Sequence, residues 1–81
     1  MEFLIYGREN CIHCNRAKKF LDDKGISYKY VDMTKWLIED VRDLAREYGM
    51  TTVPIILTDD NVVIGGADDL MEYVSEMFHE F

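Results

Sequence analysis

Residues 2–31 constrain this chain most, because they read as a strand, a helix and a second strand with only short links between them. Glu2-Phe3-Leu4-Ile5-Tyr6 is an apolar and aromatic run suited to a buried strand. Gly7 to Asn10 supply a turn. Residues 12–24 then put Ala17, Phe20 and Leu21 on one helical face, and Gly25 stands where a left-handed C-terminal cap belongs. Residues 26–31 (Ile26-Ser27-Tyr28-Lys29-Tyr30-Val31) alternate apolar and polar side chains, the period of a strand. Two strands joined through a helix pair in parallel with a right-handed crossover. This unit therefore calls for a sheet with a helix packed on it.

The remainder extends the sheet. Thr34 is placed to cap a second helix over 35–48, where Leu37, Val41, Leu44, Ala45 and Tyr48 recur at helical spacing and turn toward the core. Gly49 ends it. Pro54-Ile55-Ile56-Leu57 and Val62-Val63-Ile64 read as an antiparallel pair, since Thr58-Asp59-Asp60-Asn61 between them has hairpin chemistry. Gly65-Gly66 breaks the second run. A last helix starts near Asp68, with acids in the first turn where the helix dipole favours them, and with Leu70, Tyr73, Val74, Met77 and Phe78 on its inner face. The expected fold is α/β, β-α-β-α-β-β-α, a mixed four-stranded sheet flanked by three helices. A chain of 81 residues has room for one domain, 1–81.

Composition narrows the function. The longest uncharged apolar runs, about six residues, fall far short of a membrane span. Met1-Glu2-Phe3-Leu4-Ile5 lacks the basic head and long apolar stretch of a signal peptide, so the cytoplasm is the expected location. A net charge of -7 argues against nucleic acid as the main partner. The basic residues nonetheless gather around the cysteines as Arg8, Arg16, Lys18 and Lys19, while acids dominate residues 39–80. An acidic body with one basic end suits a small anionic ligand. A monomer is the expected state.

The chain has two cysteines, Cys11 and Cys14. A disulfide scaffold this small would normally carry more, so the pair calls for redox chemistry or a metal. Zinc needs four N or S ligands. Only Cys11, His13, Cys14 and His79 are on offer, and no second pair has finger spacing, so no metal is expected. Position is more telling than spacing. The pair follows a strand and opens a helix, where unpaired backbone N–H groups and the dipole favour an anion. The thiolate is the nucleophilic form of cysteine. Cys11 is expected at the mouth of the helix, exposed, and Cys14 one turn in and more buried. That arrangement suits attack by Cys11 on a disulfide and resolution of the mixed disulfide by Cys14.

Other residues have both a plain and a functional reading. Arg8 can stabilise a thiolate and grip a ligand carboxylate, or serve as a solvated turn residue. His13 can stack on a ligand or tune the thiols, or stand exposed and neutral. Pro54, the one proline, sits at the start of a strand, where a missing ladder donor is tolerated. A cis Val53-Pro54 bond would turn the Val53 backbone outward toward an extended peptide. Beyond Gly65-Gly66 and Ala67, the N–H groups of Asp68 and Asp69 at a helix start can bind a carboxylate, and an Asp side chain can accept from an ammonium group. Their plain role is helix capping.

These segments resemble the glutaredoxins, the small thioredoxin-fold dithiol reductants, across nearly the whole chain. The residues concerned are Tyr6-Gly7-Arg8 before Cys11-Ile12-His13-Cys14, then Thr52-Val53-Pro54, then Gly65-Gly66 with Asp68-Asp69-Leu70. The brevity resembles bacterial and phage members. The resemblance implies a thioredoxin-like fold with Cys11 as nucleophile and Cys14 as resolving thiol. It implies glutathione as a co-substrate beside Cys11, with no resident cofactor. Arg8 and His13 would lie against the glutathione, Thr52 and Val53 would pair with its backbone, Pro54 would be cis, and Asp68 and Asp69 would hold its γ-glutamyl end. The implied reactions are reduction of protein disulfides, such as that of ribonucleotide reductase, and removal of glutathione from mixed disulfides. Two departures stand out: Ile12 and His13 replace the common Pro and Tyr, and Ala67 replaces a bulkier residue.

Two further readings belong to the same family. Members recharged by thioredoxin reductase typically carry an aromatic-Ser-Gly-Phe segment where this chain has Ile64-Gly65-Gly66-Ala67-Asp68. Iron–sulfur carriers usually have Gly or Ser within or after the cysteine motif, and Ile12 and Cys14 do not fit that pattern.

Overall fold

Period-two burial along the first strand sets up two faces to cover. The computed structural model describes residues 2–77: β1 (Glu2–Gly7), α1 (Ile12–Asp23), β2 (Ser27–Asp32), α2 (Ile38–Glu47), β3 (Ile55–Thr58), β4 (Val63–Gly65) and α3 (Ala67–Met77). The sheet order is β2-β1-β3-β4. β1 runs parallel to β2 and antiparallel to β3, and β3 runs antiparallel to β4. The mixed four-stranded sheet and three helices are those expected.

Phe3 and Ile5 of β1 and Ile56 of β3 face one side. With Ala17 and Leu21 of α1 and Ala67, Leu70 and Val74 of α3 they make the core. Each of the fully buried aliphatic side chains there contributes roughly 1.5–3 kcal/mol. The other face carries Ile55 and Leu57, both 0 % exposed. Tyr6 points there too, packing its ring 6.4 Å from that of Tyr48 just beyond α2 and 6.4 Å from that of Trp36.

Two helices stop by the same means. At α1, Gly25 takes a φ of 68°, its N–H bonds the Asp22 carbonyl, and the Ile26 N–H bonds that of Leu21. At α2, Gly49 repeats this with Arg46, as Met50 does with Ala45. This is the double hydrogen bond of a Schellman cap, which glycine enters without steric cost.

α2 corrects the expectation at its start. It begins at Ile38 rather than residue 35, with Leu37 as its N-cap, and no side chain caps it. Thr34 is engaged elsewhere. Its N–H and hydroxyl both bond the Asp32 carboxylate, and its hydroxyl oxygen accepts from the Glu9 N–H at 2.9 Å. An Asx turn has taken the backbone that a helix would have used. The same bonds hold the Asp32 carboxyl below the usual carboxylate range, hydroxyl first and N–H second. Leu37, expected in the core, is 67 % exposed, while Val41, Leu44, Ala45 and Tyr48 are half-buried. Met77 is also exposed rather than inward. Phe78, expected beside it, and His79, weighed as a zinc ligand, lie outside the described residues. No helix among the described residues is long and apolar enough to cross a membrane.

Candidate active site

Strand register brings the chemistry to one end of the sheet. Gly7 at the end of β1 pairs with Asp32 at the end of β2, Tyr6 pairs with Ile55 at the start of β3, and Ile56 pairs with Gly65 at the end of β4. The loops leading to Cys11 and Pro54 and the start of α3, with Asp68, all lie at that edge.

Asn10, at φ 57°, turns the chain into α1. Cys11 is the N-cap of α1, with extended backbone, and its sulfur accepts the Cys14 backbone N–H at 3.2 Å. A sulfur placed so meets an N–H group that has no partner within the helix. Both cysteines are free thiols. Cys11 is 7 % exposed and Cys14 0 %. The expected exposure of Cys11 is thus corrected, because its side chain folds back over the first helical turn to take that N–H. The neighbouring Ile12, 75 % exposed, is what meets solvent beside it.

Cys14 sits beneath Gly7. A Cβ on Gly7 would stand 2.9 Å from the Cys14 sulfur and collide with the Tyr30 hydroxyl. That hydroxyl donates to the Arg8 carbonyl at 3.0 Å. Burial pushes the Cys14 thiol up from its ordinary value, and the adjoining Cys11 sulfur adds to the shift. The Arg8 backbone N–H and the Tyr30 hydroxyl pull the other way. Burial, then the charge of Cys14, raises the Tyr30 phenol as well. Tyr30 therefore stays a donor across the neutral range. Lys18 stands over its ring, 4.2 Å from the centroid. Strand alternation marks Tyr30 as an inward position and nothing more; its hydroxyl meets Cys14 only through the pairing of β2 with β1.

Gly7→Ala is therefore expected to lower the unfolding free energy by about 1–3 kcal/mol, the usual cost of overpacking a filled site. A urea titration of reduced protein measures it.

The outer residues divide. Val53-Pro54 is cis, as the resemblance implies. Pro54 is buried and Thr52 exposed, and a Cβ on Gly66 would lie 3.9 Å from the Pro54 carbonyl oxygen, so the two loops adjoin. Arg8 is exposed, and among the described residues its side chain has no hydrogen-bond or ion-pair partner. Arg16, noted in the sequence only as part of a basic cluster, ties α1 to α3. It donates to His13 Nδ1 at 3.0 Å and to Asp68 Oδ1 at 2.9 Å. The latter pair is 41 % and 83 % exposed, so it adds about 0–1 kcal/mol. Asp69 accepts the Gly66 N–H at 3.1 Å, half of a capping box at the start of α3. Among the described residues no three His, Cys, Asp or Glu side chains are grouped as a metal site requires.

Comparison with known proteins identifies the family. The glutaredoxin family model matches residues 3–63. Glutaredoxin 3 of Escherichia coli is 38% identical over 66 residues, covering 82% of this chain and 77% of that one. The glutaredoxin-like protein NrdH of Salmonella typhimurium is 28% identical over 60 residues, 74% of this chain and 72% of that one. Among solved structures, a buckwheat glutaredoxin–glutathione complex superposes with a TM-score of 0.79 at 26% identity, covering 93% of this chain and 69% of that one.

Proposed function

The chain belongs to the glutaredoxin family, and we propose that it is a glutathione-dependent thiol–disulfide oxidoreductase cycling through a Cys11–Cys14 disulfide. The observation that carries this is the Cys11 sulfur capping α1 at 3.2 Å from the Cys14 N–H, with a second free thiol one turn inside. The Cys11 thiolate attacks a substrate disulfide, forming Cys11–S–S–R and releasing the other half as a thiol. The Cys14 sulfur attacks Cys11, R leaves as its thiol, and the dithiol has given up two electrons. Two molecules of glutathione return them and leave as glutathione disulfide. No resident cofactor is needed.

Glutathione fits the edge where the loops meet. Arg8 suits a glutathione carboxylate, and His13 flanks the same surface. Thr52 and Val53, ahead of the cis Pro54, offer backbone to its cysteinyl residue. The start of α3, with Asp68 and Asp69, suits the γ-glutamyl end. The buckwheat relative, solved with glutathione bound, supports the reading. Substrates would be protein disulfides, that of ribonucleotide reductase among them, and glutathione mixed disulfides. A reducing, glutathione-rich cytoplasm is the fitting compartment.

One observation favours recharging by thioredoxin reductase instead. Arg16 already occupies Asp68, and Asp69 already caps Gly66. A coupled assay separates the two. We expect NADPH consumption with glutathione plus glutathione reductase to exceed that with thioredoxin reductase alone. Consumption in the second arm and none in the first would overturn glutathione dependence.

A further inference from the structure

Resolution makes a demand that the Cys11 cap does not meet. Cys14 must carry negative charge as it attacks Cys11, and again as it leaves when the disulfide is reopened, yet it is 0 % exposed. Water cannot solvate that charge, so a protein group must. Cys11 already takes the Cys14 N–H. Besides the Arg8 backbone N–H, the donor beside Cys14 among the described residues is the Tyr30 hydroxyl. The site of a Gly7 Cβ is 2.9 Å from the Cys14 sulfur and 2.9 Å from the Tyr30 Cζ, and nearer still to the hydroxyl, so both groups close on one point. In the dithiol state that hydroxyl rests on the Arg8 carbonyl at 3.0 Å.

We propose that Tyr30 is a positioning residue for the resolving step, its hydroxyl turning from the Arg8 carbonyl to donate to the Cys14 sulfur whenever that sulfur is a thiolate. The inference rests on the dithiol cycle proposed above. In the step, the Cys14 S–H gives up its proton, the Cys14 sulfur bonds the Cys11 sulfur, the disulfide bond between Cys11 and the substrate sulfur breaks, and R–S⁻ leaves with the electron pair and takes up that proton to become a thiol. Tyr30 keeps its own proton throughout. The raised phenol value agrees with that, since no neutral pH deprotonates it. The titratable and charged groups around the hydroxyl are Cys14 and Lys18 on α1, Cys11 at its cap and Asp32 on β2, with Glu2 and Asp22 lining the hollow next to its ring. Lys18 over the ring draws electron density from it and strengthens the hydroxyl as a donor.

The test uses Tyr30→Phe, which keeps the ring and its packing, in the wild-type and Cys14→Ser backgrounds. A hydrogen bond to a charged group is worth about tenfold or more. Reduction of insulin disulfides, which needs both thiols, should slow about tenfold. The Cys14 thiolate step, read by absorbance, should move to higher pH. Release of glutathione from its mixed disulfide with hydroxyethanethiol by the Cys14→Ser protein should not change when Tyr30→Phe is added. An unchanged insulin rate in Tyr30→Phe overturns the proposal, as does an equal loss in both backgrounds, which would mark a merely structural role. If Cys14→Ser alone reduces insulin normally, the dithiol cycle itself fails, an outcome distinct from either.

Discussion

Cys11→Ser should abolish exchange with both protein disulfides and glutathione mixed disulfides, by more than about a thousandfold, the order of loss when a covalent nucleophile is removed. It should do so without unfolding the protein. Serine is among the preferred N-cap residues, and its oxygen can accept the Cys14 N–H that the Cys11 sulfur accepts now. Stability should therefore stay within about 0.5 kcal/mol of wild type by urea denaturation. Cys11→Ala removes the acceptor as well and should cost about 1 kcal/mol. The pair of variants separates chemistry from capping. Residual turnover of a glutathione mixed disulfide by Cys11→Ser would move the nucleophile to Cys14.

Much of this site could be read along the chain because the signals are local. Gly25 and Gly49 mark helix ends by backbone freedom alone, and both structural caps follow from their φ of 68°. Cys11 before an amphipathic helix fixes the sulfur at a cap. The β-α-β order of residues 2–32 dictates a parallel pair, and the observed register obeys it. The start of α2 was not legible, since two outcomes compete for Thr34. It can cap a helix, or close an Asx turn on Asp32 and hold Glu9, and only the folded loop decides.

The rest depended on partners distant in sequence. Arg16 and Asp68 are 52 positions apart, and Tyr30 is 22 from Arg8. No periodicity links such residues. Arg16 read as one member of a basic cluster and Tyr30 as one tooth of a strand. The covering of Cys11 was missed for a related reason: a sulfur that bonds its own helix draws inward, whereas a mouth position alone suggests exposure.

Cys14→Ser should split the two activities. Protein-disulfide reduction should be lost, because the mixed disulfide on Cys11 has no internal thiol to resolve it, while mixed disulfides of glutathione, which need one thiol, should still turn over. Retention of protein-disulfide reduction would reverse the assignment of attacking and resolving sulfurs. The variant should fold, because the new hydroxyl lies beside the Arg8 backbone and the Tyr30 hydroxyl and need not be buried without a partner. Its stability should also respond differently to pH. The folded protein holds Cys14 above its ordinary value, so the stability gained by keeping it a thiol is present below that value and is lost as pH rises through the raised one. The unfolding free energy of the reduced wild-type protein should thus fall across that alkaline window. In Cys14→Ser this part of the fall should vanish, leaving the decline from Tyr6, Tyr28 and Tyr30, whose phenols are raised as well. Urea titrations of both proteins across the window decide the matter. An identical alkaline decline in the two would mean that Cys14 is not the thiol whose proton the fold retains.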